Sequence, residues 1–334
     1  MKALQITGYG KIEENLTFSD IKLPTLKDNE LLIEIHYAGI NPIDFKIIEG
    51  AMKPIKKLNF PAPIGFDFSG KVLEKGKNVL DFEIRDDVYG RVPDELAGTF
   101  SEKMVIDFQL VNKAPKNISL KEASCMPLVS LTVFQAFEKM KLTKDGNILI
   151  HAGSGGIGSI AIQYAKHIGA YIYTTTSTKN VEWVKKLGAD RVIDYKKEDY
   201  KKIANNIDVV FDTLGRNYTL EAFDILKEGG RVVSLSGDLD DETAKKLGLN
   251  KLIRFFLYLQ RLKLEKEKRK KSASYNYVYM SPNTIQLDII TNLIEQNILR
   301  PIIDKQFDFN DAIKALLYVQ KGKSKGKVII KIKA

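Results

Sequence analysis

The sequence predicts an α/β protein in which a β-rich opening region precedes a doubly wound parallel sheet covered by helices. Three observations carry that expectation. Short apolar runs punctuated by Gly65, Gly70, Gly76 and Gly90 fill the first 110 residues, as strands and turns do. From residue 147 onward, strand-like and helix-like stretches alternate strictly. A glycine cluster, Gly153–Gly158, separates the first of these strands from the first of these helices.

Taken in order, Leu31-Leu32-Ile33-Glu34-Ile35 reads as a strand and residues 122–141 as a helix. Asn147–Ala152 is an apolar strand, and Ser159–His167 a helix stopped by Gly169. Tyr171–Thr176, rich in aromatic and β-branched residues, is the next strand, and Val181–Leu187 a helix ended by Gly188. Buried strands follow at Arg191–Ile193, Asp208–Phe211 and Arg231–Leu235, the last preceded by a Gly229-Gly230 turn. Tyr275–Tyr279 reads as a further strand, Thr284–Gln296 as a helix and Gly326–Ile332 as a closing strand.

Composition excludes several classes. At 334 residues the chain suits about two domains of roughly 150 residues each. Its 44% hydrophobic and 28% charged residues exclude disorder and collagen-like repeats. No apolar run approaches the roughly 18 residues of a membrane helix, and the start MKALQITGYGKIEENL lacks a signal-peptide core, so a cytoplasmic protein is expected. One cysteine, Cys125, and three histidines, His36, His151 and His167, leave no material for a disulfide or a four-cysteine zinc site. The charge of +10 is uneven: residues 251–271 hold nine Lys/Arg against Glu265 and Glu267, and residues 321–333 hold six lysines and no acid. The remainder is slightly acidic, so the net charge alone does not indicate nucleic-acid binding.

The sharpest motif is Ile148-Leu149-Ile150-His151-Ala152-Gly153-Ser154-Gly155-Gly156-Ile157-Gly158. A bare GxGxxG is often only a turn, but here it joins a buried strand to an amphipathic helix, the context of a dinucleotide fingerprint. Gly153 permits the tight turn, Gly155 lets backbone approach a pyrophosphate, and Gly158 packs helix on strand. The helix N-terminus offers N–H groups and partial positive charge to the phosphates. About 20 residues on, a site for the unphosphorylated coenzyme wants an acid. The sequence instead has Thr174-Thr175-Thr176-Ser177-Thr178-Lys179-Asn180, and its next acid is Glu182. Hydroxyls such as that of Ser177, together with the Lys179 charge, suit a 2′-phosphate, so NADPH is the expected cofactor.

Two other chemistries fall away. Ala152-Gly153-Ser154-Gly155-Gly156 superficially resembles a hydrolase nucleophile elbow, yet no histidine follows His167 to complete a triad. A short-chain dehydrogenase would carry Tyr-x-x-x-Lys, and none of the 14 tyrosines has lysine four residues later.

With these residues in place the chain resembles the medium-chain dehydrogenase/reductase superfamily, in its zinc-independent quinone oxidoreductase and enone reductase branch. The matching stretches are Asn41-Pro42-Ile43-Asp44-Phe45-Lys46, Pro63–Gly70, Asp87-Val88-Tyr89-Gly90, Gly98–Glu102, the glycine motif, Leu187-Gly188-Ala189-Asp190, Val192-Ile193-Asp194-Tyr195 and Gly326–Ile330. The resemblance implies a GroES-like catalytic domain from residues 1–122 and 284–334, a Rossmann NADPH-binding domain at 123–283, a ligand cleft between them, and a homodimer. It implies Asn41 and Lys46 near the nicotinamide end as catalytic candidates, with Lys46 reaching cofactor. It further implies Tyr195 beside the adenosine phosphate, with Leu235, Ser236 and Thr132 facing the nicotinamide half. Phe66, Tyr279 and Met280 are candidates for the substrate pocket, and Asp44 is expected to tie loops together. Zinc-dependent relatives place a cysteine near Asn41 and a His-Glu pair near Phe66-Asp67. Neither is present here, so no metal is expected.

Without a Lewis acid, a hydride suits acceptors that delocalise the resulting charge, namely quinones and α,β-unsaturated carbonyls. The leading expectation is therefore an NADPH-dependent, metal-free reductase of such small molecules. A second reading is a dinucleotide sensor or interaction protein that keeps the fold without turnover. A third, weaker one is a metal-dependent alcohol dehydrogenase. Leu252, Phe255, Phe256, Leu259 and Leu262 also mark one apolar helical face, followed by the charge run Arg261–Lys271. That helix either packs on the Rossmann domain or a subunit partner, or docks on an anionic membrane or on RNA.

Overall fold

The computed structural model describes residues 1–53 and 57–333, and the chain divides into two compact units, Met1–Leu131 with Ser281–Ala334, and Thr132–Met280. The first division falls inside a long helix rather than at 122/123, and the second lies just before residue 284.

The first unit opens with β1 (Lys2–Ile6), β2 (Leu16–Asp20), β3 (Glu30–Ile40), α1 (Pro42–Ile48), β4 (Ala62–Pro63), β5 (Asp67–Lys75), β6 (Asp87–Arg91), β7 (Lys103–Asp107) and β8 (Asn112–Lys113). Helices α2 (Leu120–Ala123) and α3 (Pro127–Met140) lead out of it. The second unit runs β9 (Asn147–Ile150), α4 (Gly156–Ile168), β10 (Tyr171–Thr176), α5 (Val181–Lys186), β11 (Arg191–Asp194), α6 (Tyr200–Ile203), β12 (Ile207–Asp212), α7 (Asn217–Ile225) and β13 (Leu226–Ser234). It ends with α8 (Asp241–Lys246), α9 (Lys251–Gln260), α10 (Leu262–Lys270) and β14 (Ser274–Tyr277). The chain then returns to the first unit with α11 (Thr284–Glu295), β15 (Ile303–Asp308), α12 (Ala312–Gln320) and β16 (Lys327–Lys331).

In the first unit a three-stranded sheet, β2-β1-β4, accompanies a seven-stranded one ordered β15-β16-β3-β5-β6-β8, with β7 also on β3. Leu31, Ile33 and Ile35 of β3 and Phe68 and Val72 of β5 are wholly buried. The two ends of the chain meet in this sheet, where β16 pairs antiparallel with β3 in the register Val328↔Ile40 and Ile330↔Ala38. The single helix expected over 122–141 is split instead. Pro127 has no N–H to continue a preceding turn and is pre-shaped for a new one, so α3 starts there.

In the second unit the six-stranded sheet is parallel throughout and ordered β11-β10-β9-β12-β13-β14. The order reverses between β9 and β12, and ligands bind at the C-terminal strand ends beside such a reversal. Helix α4 starts at Gly156, earlier than the expected Ser159, and stops at Gly169, whose φ of 87° suits a residue without Cβ. Strand β13 starts at Leu226 rather than Arg231, because its register on β12 jumps from Ile207↔Leu226 to Val209↔Arg231 and the Gly229-Gly230 turn becomes an irregularity within the strand. Helix α10 buries Leu264 in the core formed with Phe223, Leu226 and Tyr275. Helix α9 buries none of its residues, so the expectation that its apolar face packs on this unit is corrected. Arg254 and, at the end of the helix, Arg261 tie its other side to Asp241 and to the Leu239 carbonyl, which leaves the apolar face turned outward.

Candidate functional site

The segment after β9 is held by hydroxyls from the neighbouring strand. Thr174 donates through Oγ1 to the Ile150 carbonyl at 2.7 Å, and the Ala152 N–H donates to Thr175 Oγ1 at 3.1 Å. The Gly153 N–H reaches the Thr175 carbonyl at 2.9 Å. A Cβ on Gly153 would overlap Thr174 Oγ1, and one on Gly158 would overlap the Ala152 carbonyl oxygen. Both glycines are thus required by the fold itself. Gly155 differs: a Cβ there would meet nothing closer than the Ala152 oxygen at 3.4 Å. Gly155 caps α4 with no side chain over the helix end, and the first-turn N–H groups of Gly156, Ile157 and Gly158 have no intrahelical partner. Open space, unpaired donors and the positive end of a 13-residue helix together fit an anionic diphosphate.

At the end of β10 the sequence-based assignment needs revision in detail. Thr174 spends its hydroxyl proton on the Ile150 carbonyl, and Thr175 accepts the Ala152 N–H, so both side chains serve the turn after β9. Ser177 accepts a hydrogen bond from Asn180 Nδ2 at 3.2 Å, and Asn180 Oδ1 accepts from Trp183 Nε1 at 3.1 Å, so Asn180 orients the turn. Lys179 is exposed and forms no ion pair among the described residues. Tyr195 is 59% exposed, just beyond β11. Strand register, not spacing along the chain, brings an acid here: Asp194 lies opposite Thr176 in the β10–β11 pairing. Its carboxylate accepts from the Lys196 N–H at 3.2 Å, and the Thr178 hydroxyl bond holds its carboxyl below the ordinary range.

The strand ends beside the reversal are organised by Asp212, the last residue of β12. It accepts from Thr219 Oγ1 at 2.5 Å, Ser234 Oγ at 2.7 Å, the Gly215 N–H at 2.9 Å and the Leu214 N–H at 3.0 Å. His151 Nδ1 faces the same carboxylate at 3.4 Å, and because an ionised carboxylate only accepts, that nitrogen carries the proton. Burial alone would raise the Asp212 carboxyl, but the bonds from His151, Thr219 and Gly215 outweigh it and hold it at about 2. Ser234 in turn accepts the Gly237 N–H at 2.8 Å, Ser236 Oγ donates to the Thr213 carbonyl at 3.2 Å, and Tyr277 donates to the Leu235 carbonyl at 3.1 Å. Leu235 and Ser236 therefore sit in a laced, half-buried loop beside the end of β12.

In the first unit Asn41 is 1% exposed, and its amide is fully engaged. Nδ2 donates to Asp67 Oδ2 at 2.8 Å, while Lys327 Nζ bonds Asn41 Oδ1 and reaches the Ile40 carbonyl at 3.0 Å and Asp67 Oδ2 at 3.4 Å. Asp67 Oδ1 accepts the Leu128 N–H at 2.9 Å, satisfying an orphan donor of the first turn of α3. Asp44 reaches back from α1 to accept the Asn41 N–H at 2.7 Å. Burial pushes the Asp44 carboxyl up to about 7 against the pull of that N–H and of Lys327, and burial raises Asp67 too. The Asn41 side chain, a catalytic candidate by resemblance, is thus held inside the first unit by Asp67 and Lys327. Lys46, on the same helix, is exposed with no ion pair among the described residues. Phe66 is buried with the Arg91 guanidinium 5.0 Å from its ring centre.

Known proteins resemble this chain in sequence and in fold. The family described as "Alcohol dehydrogenase GroES-like domain" matches residues 27–116, and "Zinc-binding dehydrogenase" matches residues 187–330. The quinone oxidoreductase of Coxiella burnetii superposes with a TM-score of 0.86 at 29% identity, over 100% of this chain and 99% of that one. A 2-methylene-furan-3-one reductase of Solanum lycopersicum is 30% identical over 340 residues, spanning 99% of this chain and 79% of that protein. The chain belongs to the medium-chain dehydrogenase/reductase superfamily, in its quinone and enone oxidoreductase branch. Within that superfamily it is an oxidoreductase with a GroES-like domain and a Rossmann domain. A chloroplastic NADPH-dependent alkenal/one oxidoreductase of Arabidopsis thaliana is 34% identical over 245 residues, 71% of this chain and 63% of that protein.

One of those family descriptions names zinc, so the donor set matters. Phe66 offers no ligand atom, and Asp67 is already committed to Asn41, Leu128 and the Lys327 ammonium. The Cys125 thiol is buried, donates to the Glu122 carbonyl at 3.1 Å, and burial pushes it up to about 12, which disfavours the thiolate a metal needs. Among the described residues no three His, Cys, Asp or Glu side chains converge. These residues do not fit a zinc ion. Thr132 is buried in α3, while Tyr279 and Met280 are half-buried after β14.

Proposed function

We propose that the protein is an NADPH-dependent, metal-independent reductase that delivers hydride to a quinone or an α,β-unsaturated carbonyl. The observation that carries this reading is Gly155: the fold does not need a glycine there, and a diphosphate beside the helix end does. In this reading the N–H groups of Gly156, Ile157 and Gly158 hold the pyrophosphate. The Ser177 hydroxyl and the unpaired Lys179 hold the 2′-phosphate. NADPH, when bound, supplies the hydride. Leu235, Ser236 and Thr132 orient the nicotinamide half, and Lys46 reaches cofactor as the free cation. Phe66, Tyr279 and Met280 shape the acceptor site. The Solanum lycopersicum and Arabidopsis thaliana proteins, named for enone-type acceptors and NADPH, support the acceptor class and the coenzyme.

The test is steady-state oxidation of NADPH and NADH against a panel of quinones, alkenals and enones, with product identification and with chelator in one arm. Turnover that prefers NADPH and survives chelation is expected. Tight coenzyme binding with no turnover on any acceptor, or loss of activity with chelator, would refute the reading.

A further inference from the structure

Helix α9 carries an apolar face that nothing in its unit covers. Leu252, Phe255, Phe256 and Leu259 share about one third of the helix circumference and are 65%, 55%, 56% and 42% exposed. Isolated exposed apolar residues need no explanation, but a contiguous patch of four, two of them aromatic, does. Lys251 lines a groove with Phe255, Lys266 and Arg269 line one with Tyr258 and Leu262, and these cations, with Lys263 on α10, are all exposed and in no ion pair among the described residues. The helix is held in place from behind. Asn250 caps it by accepting the Ile253 N–H at 2.9 Å, and Arg254 grips Asp241 with two bonds of 2.8 and 2.9 Å. The face is therefore preformed.

We propose that α9 and α10 dock this protein peripherally on an anionic lipid bilayer, with the Leu252/Phe255/Phe256/Leu259 face in the acyl boundary and the surrounding cations among the headgroups. An apolar face flanked by Lys and Arg is what an interfacial helix requires. Charge complementarity selects the occupant. A second copy would set one net-basic segment, nine Lys/Arg against two Glu over 251–271, against another, and repulsion would oppose the contact. RNA would satisfy the cations but leave the leucines against a polar surface. An anionic bilayer satisfies both. No described helix is long and apolar enough to cross a membrane, so the contact is on the surface. The proposal is independent of the coenzyme assignment.

The test is co-sedimentation of the full chain with vesicles of phosphatidylcholine containing about 30% phosphatidylserine, and with pure phosphatidylcholine. At low salt the anionic vesicles should bind at least about tenfold more tightly, since each basic residue near the surface contributes roughly fivefold. At about 1 M salt, where the screening length is ~3 Å, most of that binding should vanish. Phe255→Ser with Phe256→Ser, and separately Lys266→Glu with Arg269→Glu, should each weaken binding about tenfold or more, with unchanged circular dichroism and melting temperature. No sedimentation at low salt, or variants that bind like the parent, would overturn the proposal. So would a dimer in vesicle-free solution that Phe255→Ser with Phe256→Ser dissolves, which would give the face to a second copy. Binding to a single-stranded RNA oligonucleotide without binding to vesicles would overturn it as well.

Discussion

Gly155 and Gly158 lie three residues apart yet are glycines for different reasons, and two substitutions separate them. Gly158→Ala forces a methyl group onto the Ala152 carbonyl and should cost about 1–3 kcal/mol of stability, read from denaturant unfolding. Gly155→Val should cost about 1 kcal/mol at most through the lost helix cap, and should abolish NADPH binding measured by calorimetry. Unchanged affinity would remove the diphosphate from this helix end. Lys179 gives the matching test of the phosphate: Lys179→Ala should weaken NADPH about tenfold while NADH changes by less than about twofold. An equal loss for both coenzymes would place the 2′-phosphate elsewhere. The glycines and Lys179 could be read from the chain because their chemistry is local. The Asp212 hub could not. His151 stands 61 residues from Asp212 and Ser234 another 22 beyond it, and no spacing rule joins them. Asp194 was missed for the same reason, since its neighbour Thr176 is set by strand register.

Among the elements, α1 is short and tied to the core by an unusual acid. Asp44 is wholly buried at its first turn, accepts the Asn41 N–H, and has its carboxyl raised by burial to about 7 from an ordinary 3.8. A carboxyl whose pKa is higher in the folded chain binds its proton better there, so folding is favoured most at acid pH. That contribution, up to about 4 kcal/mol, should fall away as pH rises from about 4 to 7 and then level off. Asp44→Asn keeps the acceptor for Asn41 and removes the titration. Melting temperature followed from pH 5 to 8 should therefore be flatter in the variant than in the parent, and parallel curves would show that Asp44 does not titrate there. Strands β9, β11 and β12 were legible because their residues are almost all buried and read as short apolar runs. The break between α2 and α3 was not, because helical periodicity continues across it while Pro127 and the Asp67 carboxylate decide where the new helix starts.

Across the whole molecule, the alternation from β9 to β13 identified the parallel sheet, while the first unit needed residues from both ends of the chain. Lys327 shows why. It bonds Asn41 from 286 positions away, and its ammonium neutralises the buried Asp67. Lys327→Met should expose that carboxylate to an apolar interior without its cation and cost about 3–5 kcal/mol in denaturant unfolding, with Lys327→Arg recovering part of it. A loss below about 1 kcal/mol would show that water or Arg91 already compensates Asp67.

The pairing of β16 with β3 also sets an order of events during synthesis. A ribosome has made Asn41, Asp67 and the whole six-stranded sheet before Lys327 and its strand emerge, so the parallel sheet can close while β3, covered by β7 along Glu30–Glu34, still waits with Tyr37–Ile40 bare on that margin. Until that last segment arrives, the Tyr37–Ile40 stretch is open to any passing extended peptide, and chaperone demand should concentrate on β3 rather than on the closing strand.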